Sequence, residues 1–380
     1  MRADHALQTV GHRPDRGPAG TVCGLIGERL ASVDWRGHAV ALGVGASGGA
    51  LFFWLQMPLA WMLGSMIFVS AAAIGGLRPA LDRRFRSVMV SILGVFLGSA
   101  FSPEVADRMG QWAAALAILA GFVVIGSLLS YVFLRRVGGF DPITAYFSST
   151  PGGLGEMVLA SEEMGGDSRK VSLVHTIRVI SIILIIPFWF RLVLGADVPS
   201  IMPETPGVDA APVDWLILVA CAALGWPLAS LCRVPAAALV GPMILSALVH
   251  LLGLTAVTPP PVPVAAAQLV LGAAVGSRFV GTAFSMIWRV ARLALGTSVL
   301  LLGLAVLITL ASADMIGIRP EAMILVLAPG GLAEMSLIAL ALGIDTAFVS
   351  TMHICRIMMI VVLGPSLFRI GARRSRETGR

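Results

Sequence analysis

The sequence predicts an all-α polytopic membrane protein built from two inverted repeats of about five transmembrane helices each, plus a Pro-Gly-Gly-broken or re-entrant helix in each repeat. Three observations carry this. Hydrophobic residues make up 57% of the chain and charged residues 13%, and the mean hydropathy is +0.90, outside the range of soluble globular domains. Apolar runs of about bilayer length, near 20 residues, recur along the chain. One polar cluster occurs twice, 178 residues apart: Pro151-Gly152-Gly153-Leu154-Gly155-Glu156-Met157 and Pro329-Gly330-Gly331-Leu332-Ala333-Glu334-Met335.

Taken in order, residues 1–37 are polar, carry five arginines and read as a cytoplasmic leader. The first apolar run starts too late for a cleaved signal peptide. Repeat 1, 38–194, holds apolar runs at 38–55, 58–77, 87–102, 112–134 and 171–194. Residues 195–214, with four prolines, three aspartates and no basic residue, suit an external linker. Repeat 2, 215–370, holds runs at 215–231, 235–254, 264–284, 293–311 and 347–369. Residues 371–380 form a basic tail, an anchor at the anionic inner surface.

The match between the halves extends well beyond the cluster. At offset 178 it pairs Gly94/Gly272, Gly98/Gly276, Gly165/Gly343, Asp167/Asp345, His175/His353 and Arg178/Arg356, and at offset 177 Pro58/Pro235, Gly64/Gly241 and Met66/Met243. A tandem duplication explains all of these. Charge placement sets the orientation. If 142–161 and 321–342 re-enter, 21 of the 27 basic residues fall on one side and three (Arg108, Arg191, Arg319) on the other. Full crossing gives 18 against 6. The positive-inside rule therefore favours ten crossings with both termini cytoplasmic. Basic loops in one copy also face uncharged loops in the other: Arg78, Arg83, Arg84 and Arg86 correspond to uncharged 255–264, and Arg289 and Arg292 to Gln111 and Ala114. That is the pattern of an inverted repeat.

The candidate binding residues lie at the duplicated cluster and just after it. Pro151 and Pro329 remove a backbone donor, and Gly152-Gly153 and Gly330-Gly331 admit backbone shapes other residues resist, so a helix breaks there. Broken backbone at membrane depth is tolerated only inside protein or along a wet cavity. The helix restarting at Leu154 or Leu332 points its amides at the break, an end that favours anions. Glu156 and Glu334 lie in its first turn, and two readings fit them: a capping charge, or a proton or sodium coupling site. His175 with Arg178, and His353 with Arg356, sit three apart on one helix face. A charge in an apolar span is expensive and normally finds a partner. Glu–Arg ion pairs within each repeat are one expectation, and convergence of both sets around a solute or ion is the other. Histidine adds a group that titrates near neutrality.

The repeated Gly-x-x-x-Gly pairs suit close helix crossing. Arg278 replaces Ala100 of the first copy and breaks the symmetry. The four cysteines and six histidines show no paired metal spacing, and no catalytic triad, phosphate loop or haem site is legible. The expectation is therefore no enzyme, no cofactor and no nucleic-acid partner; the partners are the lipid bilayer and a small solute.

The doubled P-G-G-L-x-E-M cluster, followed by G-x-D and then H-x-x-R, resembles the bacterial AbrB family of inner-membrane proteins, across 38–370. That membrane family shares its name with the small DNA-binding transition-state regulators but is distinct from them. The resemblance implies residence in the cytoplasmic membrane and brings two family labels, regulator of gene expression and ammonia monooxygenase. Neither label follows from the residues. An oxygenase needs a copper or iron site, which scarce, unclustered ligands do not offer, and no DNA-binding module is visible. The residues favour a secondary transporter of a small solute, coupled to protons or sodium, with a membrane sensor or regulator as the alternative.

Overall fold

Fourteen helices and one 3-10 turn make up the described part of the chain. The computed structural model describes residues 34–378, apart from 104, 106–109, 111, 193, 194 and 196–210. The leader expected at 1–37 and the linker at 195–214 lie largely outside the described residues. In chain order the helices are α1 (Trp35–Trp54), α2 (Ala60–Ile74), α3 (Arg83–Gly98), α4 (Trp112–Arg136), α5 (Pro142–Ser149), α6 (Leu154–Glu163) and α7 (Ser168–Leu192). They continue as α8 (Pro212–Leu231), α9 (Ala237–Leu251), α10 (Pro261–Gly276), α11 (Phe284–Ile316), α12 (Pro320–Leu327), α13 (Leu332–Ala341) and α14 (Thr346–Thr378). The expected basic tail continues α14 as helix up to Thr378.

Seven helices, α1, α4, α7, α8, α10, α11 and α14, are long and apolar enough to cross a bilayer. The other three expected spans, α2, α3 and α9, are 15 or 16 residues long. The apolar runs of α2 and α9 are cut by turns that the hydropathy pattern does not mark. Leu59 and Ala236 start α2 and α9 in the left-handed region, at φ 47 and 52, preceded by Gln56 and Arg233 at φ 52 and 54. Such a backbone costs a non-glycine residue roughly 1–2 kcal/mol. Both copies keep it at residues 177 apart.

On α4 the buried positions Ala115, Leu119, Phe122, Gly126, Ser130 and Leu134 form one stripe, while Val124, Leu128 and Val132 point outward. A helix apolar on both its packed and its exposed faces is matched to lipid rather than water.

Close backbone approach builds the centre. Gly48 of α1 meets Gly64 of α2, and Gly225 of α8 meets Gly241 of α9, so a Cβ at any of the four would strike the facing chain. Gly94 and Gly98 of α3 rest on the carbonyls of Leu239 and Met243 in α9. In turn Gly272 and Gly276 of α10 rest on those of Met62 and Met66 in α2. Met62 and Leu239 correspond, as do Met66 and Met243, so the two crossings use matching residues. Around them packs a large apolar core that includes Leu63, Leu97, Ile182, Met335 and Phe348.

Each Pro-Gly-Gly segment is two short helices, α5 with α6 and α12 with α13. Asp141 caps α5, accepting from the Thr144 amide at 2.9 Å, with Pro142 in the first turn. Just past the end of α6, the Asp167 amide donates to the Thr144 hydroxyl at 2.8 Å. The start of α5 and the end of α6 therefore lie together, as they do in a segment that enters and returns.

Candidate functional site

The break after α5 exposes the C-terminal carbonyls of one short helix and the N-terminal amides of the next. Arg178, three residues beyond His175 on α7, answers the carbonyls. Its Nη2 donates to Thr150 O at 2.7 Å and its Nη1 to Ser148 O at 3.3 Å. In the second copy Arg356 on α14 donates through Nη1 to Ala328 O at 2.6 Å and Val326 O at 3.4 Å, and through Nη2 to Gly330 O at 2.8 Å. Ser148/Val326 and Thr150/Ala328 stand 178 apart, so both arginines grip corresponding carbonyls. The physical reason is the negative end of each short helix, which lacks a following turn and accepts a cation readily.

This replaces one sequence expectation. Glu156–Arg178 and Glu334–Arg356 pairs were expected, but the salt bridges among the described residues are Lys170–Asp167 at 3.0 Å and Arg319–Glu321 at 3.5 Å. Each glutamate instead folds toward the glycine before its helix. The Glu334 carboxylate lies against Gly331, where a Cβ would collide with it, and Glu156 Oε2 is 3.8 Å from where a Gly153 Cβ would stand. The two copies differ here. Glu334 is buried and Glu156 is half-buried. Gly153 is left-handed at φ 63, whereas Gly331 is extended at φ -78.

The histidines also part company. His175 Nε2 is 2.8 Å from Phe147 O and its Nδ1 is 3.1 Å from Arg178 Nη2. A carbonyl only accepts and a guanidinium only donates, which assigns the proton to Nε2. His353 Nδ1 is 3.0 Å from Val349 O, so its proton sits on Nδ1. Its Nε2 is buried and has no partner among the described residues.

The first break packs on the helix that serves the second. A Cβ at Gly152 would stand 3.1 Å from Ile360 Cδ1 and 3.9 Å from Arg356 Nε, and one at Gly153 would touch Val361 and Ile360. Tyr146 of α5 donates to Gly364 O of α14 at 2.7 Å. Thr150 O, which Arg178 grips, also accepts from the Gly152 amide at 3.0 Å. The fold thus brings Gly152, Gly153, Arg178 and Arg356 together. Pro151 and Pro329 serve as breakers; both are buried.

Two repeated residues outside the expected site prove to be caps. Asp167 accepts from the Lys170 amide at 3.1 Å and Asp345 from the Phe348 amide at 2.9 Å, starting α7 and α14. Gly165 and Gly343 supply the left-handed turns before them, at φ 85 and 61. Partial burial alone would raise the Asp167 carboxyl, but hydrogen bonds from the Lys170 ammonium and amide overcome it and hold the pKa below the usual carboxylate value. The signal was present in the sequence, since an aspartate opening an apolar helix is a standard N-cap. Among the described residues no group of three or more His, Cys, Asp and Glu converges.

A Bacillus subtilis (strain 168) protein named YhjN is 27% identical over 354 residues, covering 87% of this chain and 91% of the relative. An Escherichia coli (strain K12) protein named "Putative regulator AbrB" is 22% identical over 325 residues, covering 84% and 91%. The family model described as "Transition state regulatory protein AbrB" matches residues 61–371, from α2 to α14 with both breaks and both arginines inside it, and the chain belongs to that AbrB family.

Proposed function

We propose that this protein is a secondary transporter that moves a small solute along a path built around the two breaks, driven by a proton or sodium gradient across the bacterial cytoplasmic membrane. One observation carries the reading: two interrupted helices lie among membrane-length helices, and the first break packs against α14, whose Arg356 holds the second. Irregular backbone at that depth is otherwise a liability, and transporters use it to present helix ends to a solute. The matching crossings of α3 on α9 and α10 on α2 support an arrangement in which the repeats are inverted and rock against each other. Glu334, buried at the start of α13, is the residue proposed to carry the coupling ion. No catalysis is proposed.

Purified protein in proteoliposomes tests this. Candidate solutes come from metabolites altered in a deletion strain. An imposed pH or sodium gradient is expected to drive their uptake, and Glu334→Gln to keep solute exchange while gradient-driven uptake falls at least tenfold. Vesicles that never differ from protein-free ones would overturn the proposal. Topology gives a second test. Reporters fused at 86 and 292 are expected inside and a reporter within 196–210 outside; an internal linker would sink the inverted arrangement. The name of the Escherichia coli relative favours a second reading, a membrane regulator without flux. Transcript changes that persist when flux is abolished would support that reading instead.

A further inference from the structure

Two guanidinium groups occupy the protein interior at the breaks, and among the described residues neither has a carboxylate within 4.0 Å. Arg178 and Arg356 are each 1% exposed. Each faces the carbonyl end of a short helix, which supplies about half an elementary negative charge against a full positive one. A positive excess remains at each break, and the two adjoin: Thr150 O, which Arg178 grips, also accepts from the Gly152 amide at 3.0 Å, and a Cβ at Gly152 would stand 3.9 Å from Arg356 Nε. Glu334 does not settle it: that carboxylate sits at the amide end of α13 and in Coulombic range of Arg278, the cation that replaces Ala100. A second, independent observation concerns hydrogen bonds. The Nε–H of Arg178 and the Nε–H of Arg356 are both buried with no partner among the described residues. A buried charged donor without an acceptor is costly, and native sites rarely leave one. Here two are left, one per copy, and Gly152 leaves open the space beside the Arg356 Nε.

We infer that the breaks bind one small anion bearing a carboxylate or phosphate group, held by the Nε–H groups of Arg178 and Arg356. Its oxygens complete both guanidiniums and compensate the excess charge, and the amide end of α6 adds to the attraction. The inference rests on the transporter reading for its purpose and makes the transported solute an anion.

The test uses full-length protein purified in a neutral detergent, with thermal midpoints read against sodium acetate, succinate, phosphate and citrate. Sodium chloride at equal ionic strength is the reference, and succinamide and choline chloride are the uncharged and cationic controls. At least one oxyanion is expected to raise the midpoint saturably by several degrees, while neither control does. Arg356→Lys, which keeps the charge and loses the Nε–H, is expected to weaken the apparent affinity at least tenfold. Where that variant does not fold, Arg178→Lys, which removes the unpartnered Nε–H of the other copy, is expected to do the same. No stabilisation beyond chloride in the wild type overturns the site, as does equal affinity in wild type and a folded arginine-to-lysine variant. Phosphatidylglycerol titrated into the same detergent separates the sources: a shift with this lipid and none with soluble anions overturns the solute assignment. Binding needs no flux, so an anion bound but never transported overturns the transporter reading alone, whereas flux of a neutral solute without anion binding overturns the site alone.

Discussion

Arg356→Gln is expected to lower stability by about 3–6 kcal/mol, because it removes two short charge-assisted hydrogen bonds, each worth roughly 1.5–3 kcal/mol. The carbonyls of Ala328 and Gly330, which accept at 2.6 and 2.8 Å, would be left facing apolar protein. Arg178→Gln is expected to cost somewhat less, since it loses one short bond to a carbonyl, to Thr150 O at 2.7 Å, and two longer ones, to Ser148 O and His175 Nδ1. Lysine in either place keeps the charge but not the fork, and recovers part of the loss. The decisive comparison is with the glutamates. If Glu156 and Arg178 neutralised each other, Glu156→Gln would rescue Arg178→Gln, as removal of both members of an ion pair usually does. The carbonyl contacts require the opposite: no rescue, with the double variant at least as unstable as Arg178→Gln. Unfolding of the four purified proteins in mixed micelles checks this. A double variant restored to near wild type would mean that the carboxylate is the true partner.

What was legible in the sequence follows from what duplication preserves. Side chains needed in both copies stand out at offsets 177 and 178, so the breaks at Gly152-Gly153 and Gly330-Gly331, the arginines and the crossing glycines at 64, 94, 98, 241, 272 and 276 are legible, whereas Gly48 and Gly225, which face Gly64 and Gly241, were missed. The partner of each arginine was missed too. Backbone carbonyls carry no residue signature, and a sequence reading that asks which side chain neutralises Arg178 is drawn to the nearest repeated carboxylate. The opposite tautomers of His175 and His353 were likewise invisible, because identical residues meet different acceptors, Phe147 O in one copy and Val349 O in the other. Hydropathy overestimated α2 and α9, whose runs begin in turns set by left-handed Leu59 and Ala236 that no propensity favours. Charge placement favours a returning segment over 142–161, and the hydrogen bond from the Asp167 amide to Thr144 brings the two ends of that segment together.

The same glycine is required in the two breaks for different reasons, and alanine at each should reveal it. At Gly153 the backbone is left-handed, at φ 63, and a Cβ would find only ordinary contacts with Val361 at 3.4 Å and Ile360 at 3.6 Å. Gly153→Ala is therefore expected to cost about 1–2 kcal/mol of backbone strain, and Glu156→Ala should not relieve it. At Gly331 the backbone suits any residue, at φ -78. There the obstacle is the Glu334 carboxylate, which fills the space a Cβ needs. Gly331→Ala must expel that carboxylate from the amide end of α13 into an apolar surround. The loss includes up to about 2 kcal/mol of favourable helix-end interaction and the further cost of a displaced buried charge. Alanine at 334 removes the obstacle, so Gly331→Ala should cost little in the Glu334→Ala background. A double-variant cycle on thermal or denaturant unfolding is then expected to give a coupling of about 1–3 kcal/mol between 331 and 334 and none between 153 and 156. Equal coupling in the two repeats would mean that both glutamates are held alike. Zero coupling at 331 would mean that the Glu334 side chain does not rest on that glycine, and would remove the structural basis for treating it as the buried, coupled member of the pair.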